Sequence, residues 1–423
     1  MSSYGASFKV GFSQRDITPT ESVPMWGYAQ ENRPDFMSDG ILDPLHAKAI
    51  VIGVSDTKLA LVGLDLGRAP TQAVTKRVQR AVRERAGVDH ILLVASHTHH
   101  GPVLELTDLE GEGKGKYDAA LRYVNALEGH LVDAIVEAAS SARDARVGWG
   151  KADCLLNRNR HSSIAPVPVD TDLVVIRFED LDGKPIATLV NYAAHPTVHP
   201  PQNRRFTAEF PGVMMREVER VTGAPCVFLQ GAAGDLQCEM NDDLWGKEDF
   251  IEPIGKALAR HVVDVTETIH TEIPLRPSIV GKTSAFEVST RIDLSDPNIR
   301  AGFGAAYFPE IVAAFANNAF DEAGRLRPQM STVLLNDKIF FVGVSGEFFC
   351  NHAIRLKARA RVPVTVFAGY CNEHHFYFPT IEAAAEGGYG ADPASAWVEV
   401  GTGERMMDQA LEDLYEFQGK SGG

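Results

Sequence analysis

The 423-residue chain lacks the marks of disulfide-stapled, membrane-spanning and nucleotide-binding proteins. Its five cysteines, Cys154, Cys226, Cys238, Cys350 and Cys371, are odd in number and form no CxxC pair. Most sit in or beside apolar runs, so they read as reduced core thiols in a reducing compartment. No apolar stretch reaches the roughly 18 residues of a membrane span. Met1–Phe12 has no basic segment leading into an apolar one, so a secretory signal is not expected and a cytoplasmic location is. Basic residues are outnumbered, 41 against 56 acidic ones, leaving a net charge of −15. Such a surface repels phosphate backbones and anionic headgroups, so neither a nucleic-acid partner nor stable membrane insertion is expected. No repeat with a period of roughly 20–50 residues is visible. No glycine fingerprint follows a strand: Gly302-Phe303-Gly304 lacks its third glycine, and Glu110–Lys116 lacks the spacing of a Walker loop. That glycine-rich segment reads as a solvated loop, with a lid as the alternative.

What the chain has is alternation. Apolar runs at 58–64, 91–95, 226–229 and 364–367 read as buried strands. Helical spacing appears at 70–85, 117–142, 211–221, 250–269, 349–360 and 406–417. Two hairpins are predicted, one joining 173–178 to 186–194 through Asp182-Gly183, the other joining 332–335 to 339–344. Strands alternating with helices, plus hairpins, predict an α/β fold of mixed β-sheets flanked by helices. No Pro-, Gly- or Ser-rich linker divides it, so residues 1–423 read as one large domain.

Four polar clusters follow these runs. Ser96-His97-Thr98-His99-His100-Gly101-Pro102 follows Ile91–Ala95 directly. In an extended segment His97 and His99 would share a face, and could share a metal or divide metal binding from proton transfer. Asn191–Thr197 places His195 at another strand end, where a packed core histidine is the plainer reading. Glu347 follows Ile339–Val344 and is flanked by phenylalanine, surroundings that penalise an unpaired carboxylate; capping the following helix is its alternative role. Tyr370–Tyr377 carries His374 and His375. Ligand sites in α/β sheets form outside the carboxyl ends of strands, so these four places can meet. Imidazole, carboxylate and phenolate suit a borderline metal such as Zn²⁺. Gly343-Val344-Ser345-Gly346-Glu347 lacks the last glycine of a nucleophile elbow, which makes serine chemistry a poorer fit.

From Gly11-Phe12-Ser13-Gln14-Arg15-Asp16-Ile17-Thr18-Pro19 to Tyr389, the chain resembles the catalytic domain of the neutral/alkaline (non-lysosomal) ceramidases. The resemblance rests on His97-Thr98-His99 with Gly101-Pro102, on Asn191–Thr197, on Gly234-Asp235, on Gly346-Glu347-Phe348 and on Tyr377 with Thr380. It implies a catalytic zinc held by His97, His195, Glu347 and Tyr377. Zinc is more commonly held by Cys, His, Asp or Glu, so His374 or His375 is the alternative to Tyr377. The resemblance also implies non-ligand active-site roles for His99, for Tyr389, twelve positions after Tyr377, and for an arginine of Asn157-Arg158-Asn159-Arg160. Arg158 and Arg160 both qualify. The implied activity is zinc-dependent hydrolysis of an amide (N-acyl) bond.

The chain also departs from the family. The family's C-terminal immunoglobulin-like domain is not expected in a chain of this length; the sequence carries His100 where the family has serine, and it reads Leu236-Gln237-Cys238-Glu239 after Gly234-Asp235. A small, soluble amide or ester is therefore expected in place of ceramide. An esterase or lactonase, or a binding protein on the same scaffold, are the alternatives. A homo-oligomer stays open.

Overall fold

The computed structural model describes residues 7–105, 115–239, 250–307, 309–321 and 323–420. Residues 110–114 of the glycine-rich loop lie outside the described residues. Eight strands form the larger sheet: β1 (Phe8–Asp16), β3 (His46–Val54), β4 (Thr57–Leu64), β5 (His90–Ala95), β6 (Arg143–Asp153), β8 (Asp172–Asp180), β9 (Pro185–Tyr192) and β11 (Cys226–Gln230). Their spatial order is β11-β9-β8-β6-β1-β3-β4-β5. A second sheet runs β13 (Ile279–Ala285), β14 (Gln329–Leu335), β15 (Ile339–Val344), β17 (Val364–Ala368). Short ribbons pair β2 (Gly40–Ile41) with β10 (Arg205–Phe206), β7 (Asn157–Asn159) with β12 (Leu236–Cys238), and β16 (Glu347–Phe348) with β18 (Tyr377–Phe378). The helices are α1 (Gln72–Ala86), α2 (Asp118–Ser140), α3 (Glu209–Thr222), α4 (Ile251–Thr268), α5 (Pro297–Ala306), α6 (Pro309–Ala319), α7 (Cys350–Ala360), α8 (Ile381–Glu386) and α9 (Thr402–Phe417).

The mixed α/β class and both hairpins are as predicted: β8 pairs antiparallel with β9, and β14 with β15. Three pairs in the two main sheets are parallel, β4/β5, β9/β11 and β15/β17. Each is joined through a helix, α1, α3 and α7 respectively. Parallel neighbours need such a crossover, and it brings the carboxyl ends of both strands to the same edge.

Burial on both faces explains why the strands read as unbroken apolar runs. In β4, Leu59 and Leu61 face inward, while Ala60, Val62 and Leu64 pack with Val74, Val78 and Val82 of α1. In β15, Ile339 and Phe341 face the larger sheet, and Phe340 and Val342 share a cluster with Leu356 of α7 and Met406 of α9. Helices α3 and α4 cover Leu173, Val175, Val190 and Phe228. The two sheets thus meet face to face between outer helices. The larger sheet also curls, so that β11 lies against β4: a Cβ on Gly63 would stand 2.5 Å from the Phe228 carbonyl oxygen.

Phe341, fully buried between the sheets, is the sharpest test of this packing. Phe341→Ala is expected to cost about 3–5 kcal/mol. Urea unfolding should show a lower midpoint with an unchanged slope.

Candidate metal centre

The site is built on the carboxyl ends of β5, β9, β15 and β17. Beyond β5 the chain continues along β4, with the Ser96 amide on Leu64 O and the His97 amide on Leu66 O. His97 then takes a left-handed φ of 69°. The segment is therefore not extended, which corrects the alternation reading of His97 and His99. The turn costs of order 1–3 kcal/mol in a non-glycine residue, and it sets His97 Nδ1 2.5 Å from Gly67 O. Tyr370 stacks on the ring, with centroids 4.2 Å apart. Beyond β9, the His195 amide donates to Leu236 O, and His195 Nδ1 lies 2.6 Å from Ala233 O.

One buried amide ties the two histidine loops together. Gln230, at the end of β11, donates Nε2 hydrogens to Ser96 O and Ala194 O, at 2.9 and 2.8 Å. Its Oε1 accepts from the amides of Ala194 and Gly231. Asn372 does similar work on β5, accepting from the Leu93 amide and donating to Ile91 O.

Glu347 and Tyr377 enter side by side, as register partners of the parallel ribbon β16/β18. Gly234 packs against this ribbon so closely that a Cβ there would lie 2.5 Å from Glu347 O. Asp235 accepts from the Cys350 amide at the start of α7 and from Asn159 Nδ2 in β7. Its carbonyl receives the Arg160 amide. Arg160 Nη2 is thereby held 3.0 Å from each of Tyr377 OH, Gly234 O and His195 Nε2. Tyr377 OH lies 3.2 Å from Tyr389 OH, and Tyr389 is 65% exposed at the mouth of the site.

Since Nδ1 of His97 and of His195 faces a carbonyl oxygen, each neutral ring carries its proton there and offers a lone pair at Nε2. Burial, and then the Arg160 charge, push the His195 pKa down to about 3, so this ring is neutral. Burial also holds His99 neutral, with its pKa well below the usual value. Glu347 Oε2 lies 3.3 Å from both His97 Nε2 and His195 Nε2, and His99 Nε2 lies 3.2 Å from His97 Nε2. Burial alone would raise the Glu347 pKa; positive charge or ring protons on the facing sides of His97, His195 and His374 bring it well below the usual value. With His97 and His195 protonated only on Nδ1, acceptors face one another across a point with too few protons to separate them. Ligand atoms about 2.05 Å from a tetrahedral zinc stand about 3.3 Å apart, which matches the observed spacing. The donor set fits such a cation.

The cluster opens into a cleft of about 870 Å³. Trp26, Phe36, Phe303, Phe376 and Trp397 line its walls, and His97, His99, Glu347 and Tyr377 its floor.

Of the residues read from the sequence, His97, His99, His195, Glu347, Tyr377, Tyr389 and Arg160 come together. Arg158 does not. In β7 it sits opposite Gln237 of β12, and its guanidinium faces the Gln237 side-chain amide, whereas Arg160 lies beyond the end of β7, with its amide on Asp235 O. His375 Nε2 pairs with Glu373 at 3.0 Å, and His374 Nε2 meets the other oxygen of Glu347 at 3.3 Å. Gln230 and Asn372 carry the scaffold without having been read as site residues. Their one sequence signal is an amide at the end of an apolar run. Gln230→Leu strips three buried backbone groups, Ser96 O, Ala194 O and the Ala194 amide, of their partner at about 1–3 kcal/mol each. A melting curve of the metal-free protein should show it destabilised by at least about 3 kcal/mol, against little change for an exposed control such as Gln202→Leu.

The chain is similar to known proteins in sequence profile and in fold. The family profile described as neutral/alkaline non-lysosomal ceramidase, N-terminal, matches residues 8–225, a range that contains His97, Arg160 and His195. The fold is similar to the crystal structure of neutral ceramidase from Pseudomonas aeruginosa, with a TM-score of 0.79 and 19% identity over 98% of this chain and 75% of that one. It is also similar to a structure described as ceramidase complexed with C2, with a TM-score of 0.76 and 17% identity over 98% of this chain and 76% of the other. A profile match over more than half of the residues, on a shared fold that extends through Glu347 and Tyr377, means that the chain belongs to the neutral/alkaline non-lysosomal ceramidase family.

Proposed function

We propose that the protein is a zinc-dependent hydrolase of an amide (N-acyl) bond in a small, soluble substrate with an apolar acyl arm. Residues 1–423 would act as one catalytic domain. The observation that carries this reading is Glu347 Oε2 at 3.3 Å from Nε2 of both His97 and His195, beside a buried group of His97, His99 and His195 whose ligand atoms lie within 4.8 Å of one another. In this reading Tyr377 completes the ligand set. When bound, zinc polarises a carbonyl and brings the pKa of a water to about 7.

The chain's own residues supply the rest. The aromatic walls exclude water and take the acyl arm, while the polar floor receives the amide. Arg160 and Tyr389 flank Tyr377 and can donate hydrogen bonds to the oxygen on which negative charge develops. His99 is kept neutral by burial, and its Nδ1 has no hydrogen-bond partner among the described residues. It can take a proton and return it to the leaving amine. The net charge of −15 weakens docking on anionic bilayers, which favours a dissolved substrate over a membrane lipid. Among the described residues, no helix is long and apolar enough to cross a membrane.

The test is metal content beside turnover of a panel of short N-acyl amines, aryl esters and ceramide. Wild type should carry about one zinc per chain and cleave the N-acyl amines best. His97→Ala and Glu347→Ala should lose both metal and activity. His99→Ala should keep zinc and lose about 10²–10⁴ in rate. Zinc-free wild type, or full activity in His97→Ala, overturns the proposal. Zinc lost in His99→Ala but kept in Tyr377→Phe would replace Tyr377 by His99 as the fourth ligand, a role for which the 3.2 Å approach to His97 speaks.

A further inference from the structure

His374 stands outside the chemistry derived above, yet it is fully buried against the one carboxylate of the cluster. The two oxygens of Glu347 face different ways. Oε2 points at His97 and His195, while Oε1 lies 3.3 Å from His374 Nε2. A carboxylate free to rotate about its last bond would present either oxygen, or both, to the cation point. A donor on Oε1 alone removes that freedom. It also keeps part of the negative charge away from the ligand oxygen.

The surroundings of His374 fix its ring plane. The edge of Trp26 meets it with centroids 5.8 Å apart and planes at 82°, and Phe376 meets it at 5.3 Å and 66°. The ring runs nearly parallel to those of His97 and Tyr370, at 22° and 20°. The backbone is tied down too, with Arg68 Nη2 donating to His374 O at 3.3 Å. Nδ1 has no hydrogen-bond partner among the described residues, and Nε2 has only the 3.3 Å approach to Glu347 Oε1, near but outside hydrogen-bond geometry. A rigidly caged imidazole whose Nε2 faces the outer oxygen of a ligand carboxylate has the form of a second-layer anchor.

We infer that His374 is a positioning residue, which donates its Nε2 hydrogen to Glu347 Oε1 and thereby aims Oε2 at the metal. This rests on the zinc reading above and deepens it. It also assigns the histidine pair 374–375: His374 orients a ligand without being one, and His375 is committed to Glu373.

The experiment is zinc affinity, measured by competition with a chromogenic chelator on wild type, His374→Phe, His374→Gln and His374→Asn. Metal-free melting temperatures, taken in parallel, separate folding from binding. Phe keeps the ring and loses the donor, Gln places an amide nitrogen near Nε2, and Asn places one near Nδ1. His374→Phe and His374→Asn are expected to bind zinc about 10–100-fold more weakly, with His374→Gln restored to within about threefold of wild type. The visible spectrum of the cobalt-loaded protein should change in Phe and Asn and stay near wild type in Gln. If His374→Phe does not fold, the Gln–Asn difference decides alone. Equal affinity in all variants overturns the inference, as does equal weakening in Gln and Asn. Loss beyond about 100-fold without rescue by Gln would make His374 a ligand and also overturn it. If wild type itself binds no zinc, the underlying zinc reading fails instead.

Discussion

Two backbone carbonyls determine what the centre of this protein can do. Gly67 O and Ala233 O each stand within hydrogen-bond reach of a histidine Nδ1, at 2.5 and 2.6 Å. They fix the tautomer, and with it the direction of the Nε2 lone pairs. Glu347 then adds a third acceptor at 3.3 Å from both. Lone pairs at that spacing repel unless a cation lies among them, so the polypeptide holds an arrangement whose stability depends on what it binds. The pattern is that of a preorganised ligand set, in which the protein bears the cost of convergence before the ion arrives.

That cost is met by the fold. Each crossover unit, β4–α1–β5, β9–α3–β11 and β15–α7–β17, delivers two strand ends to one edge. Burial on both faces makes these strands poor at shifting register, because a slip of one residue would exchange inner and outer side chains. Loops leaving such strands would otherwise be free. Here side-chain amides and a carboxylate stitch them. Gln230 joins the loops of His97 and His195, Asn372 completes β5, and Asp235 links β7 to the start of α7. Removing a partner from any of them leaves a buried group unpaired, which is costlier than losing a surface hydrogen bond.

The legibility of the sequence follows the same physics. Strands covered on both sides announce themselves as apolar runs, so β4, β5, β11, β15 and β17 could be read. Strands with one less protected face could not: β6 alternates buried Ala145 and Val147 with exposed or half-buried neighbours. In β3, Lys48 interrupts the run, because its ammonium reaches Glu219 of α3, far away in sequence. At the site, His97 and Glu347 stood out because polar residues at the end of a buried run are unexpected there, whereas His195 read as a core histidine and was assigned only through the resemblance. The choice between Arg158 and Arg160 was not legible. Two residues apart, they would share a face in an extended strand; what separates them is that β7 ends at Asn159, with Arg158 paired opposite Gln237 and Arg160 turned by the hydrogen bond of its amide to Asp235 O. The left-handed turn at His97 was equally hidden, since its support comes from Leu66 and Gly67 in another strand's loop.

The apolar cleft and the charged floor divide the labour expected of an amide hydrolase, one part binding and the other reacting. Everything in that division hangs on a cation at the point shared by His97, His195 and Glu347. X-ray absorption at the zinc edge of the purified protein tests this most directly. The account predicts a shell of nitrogen and oxygen scatterers at about 2.0–2.1 Å, with the outer scattering of two imidazoles and no sulfur at about 2.3 Å. Absence of bound zinc, a sulfur in the shell, or a shell without imidazole would contradict it.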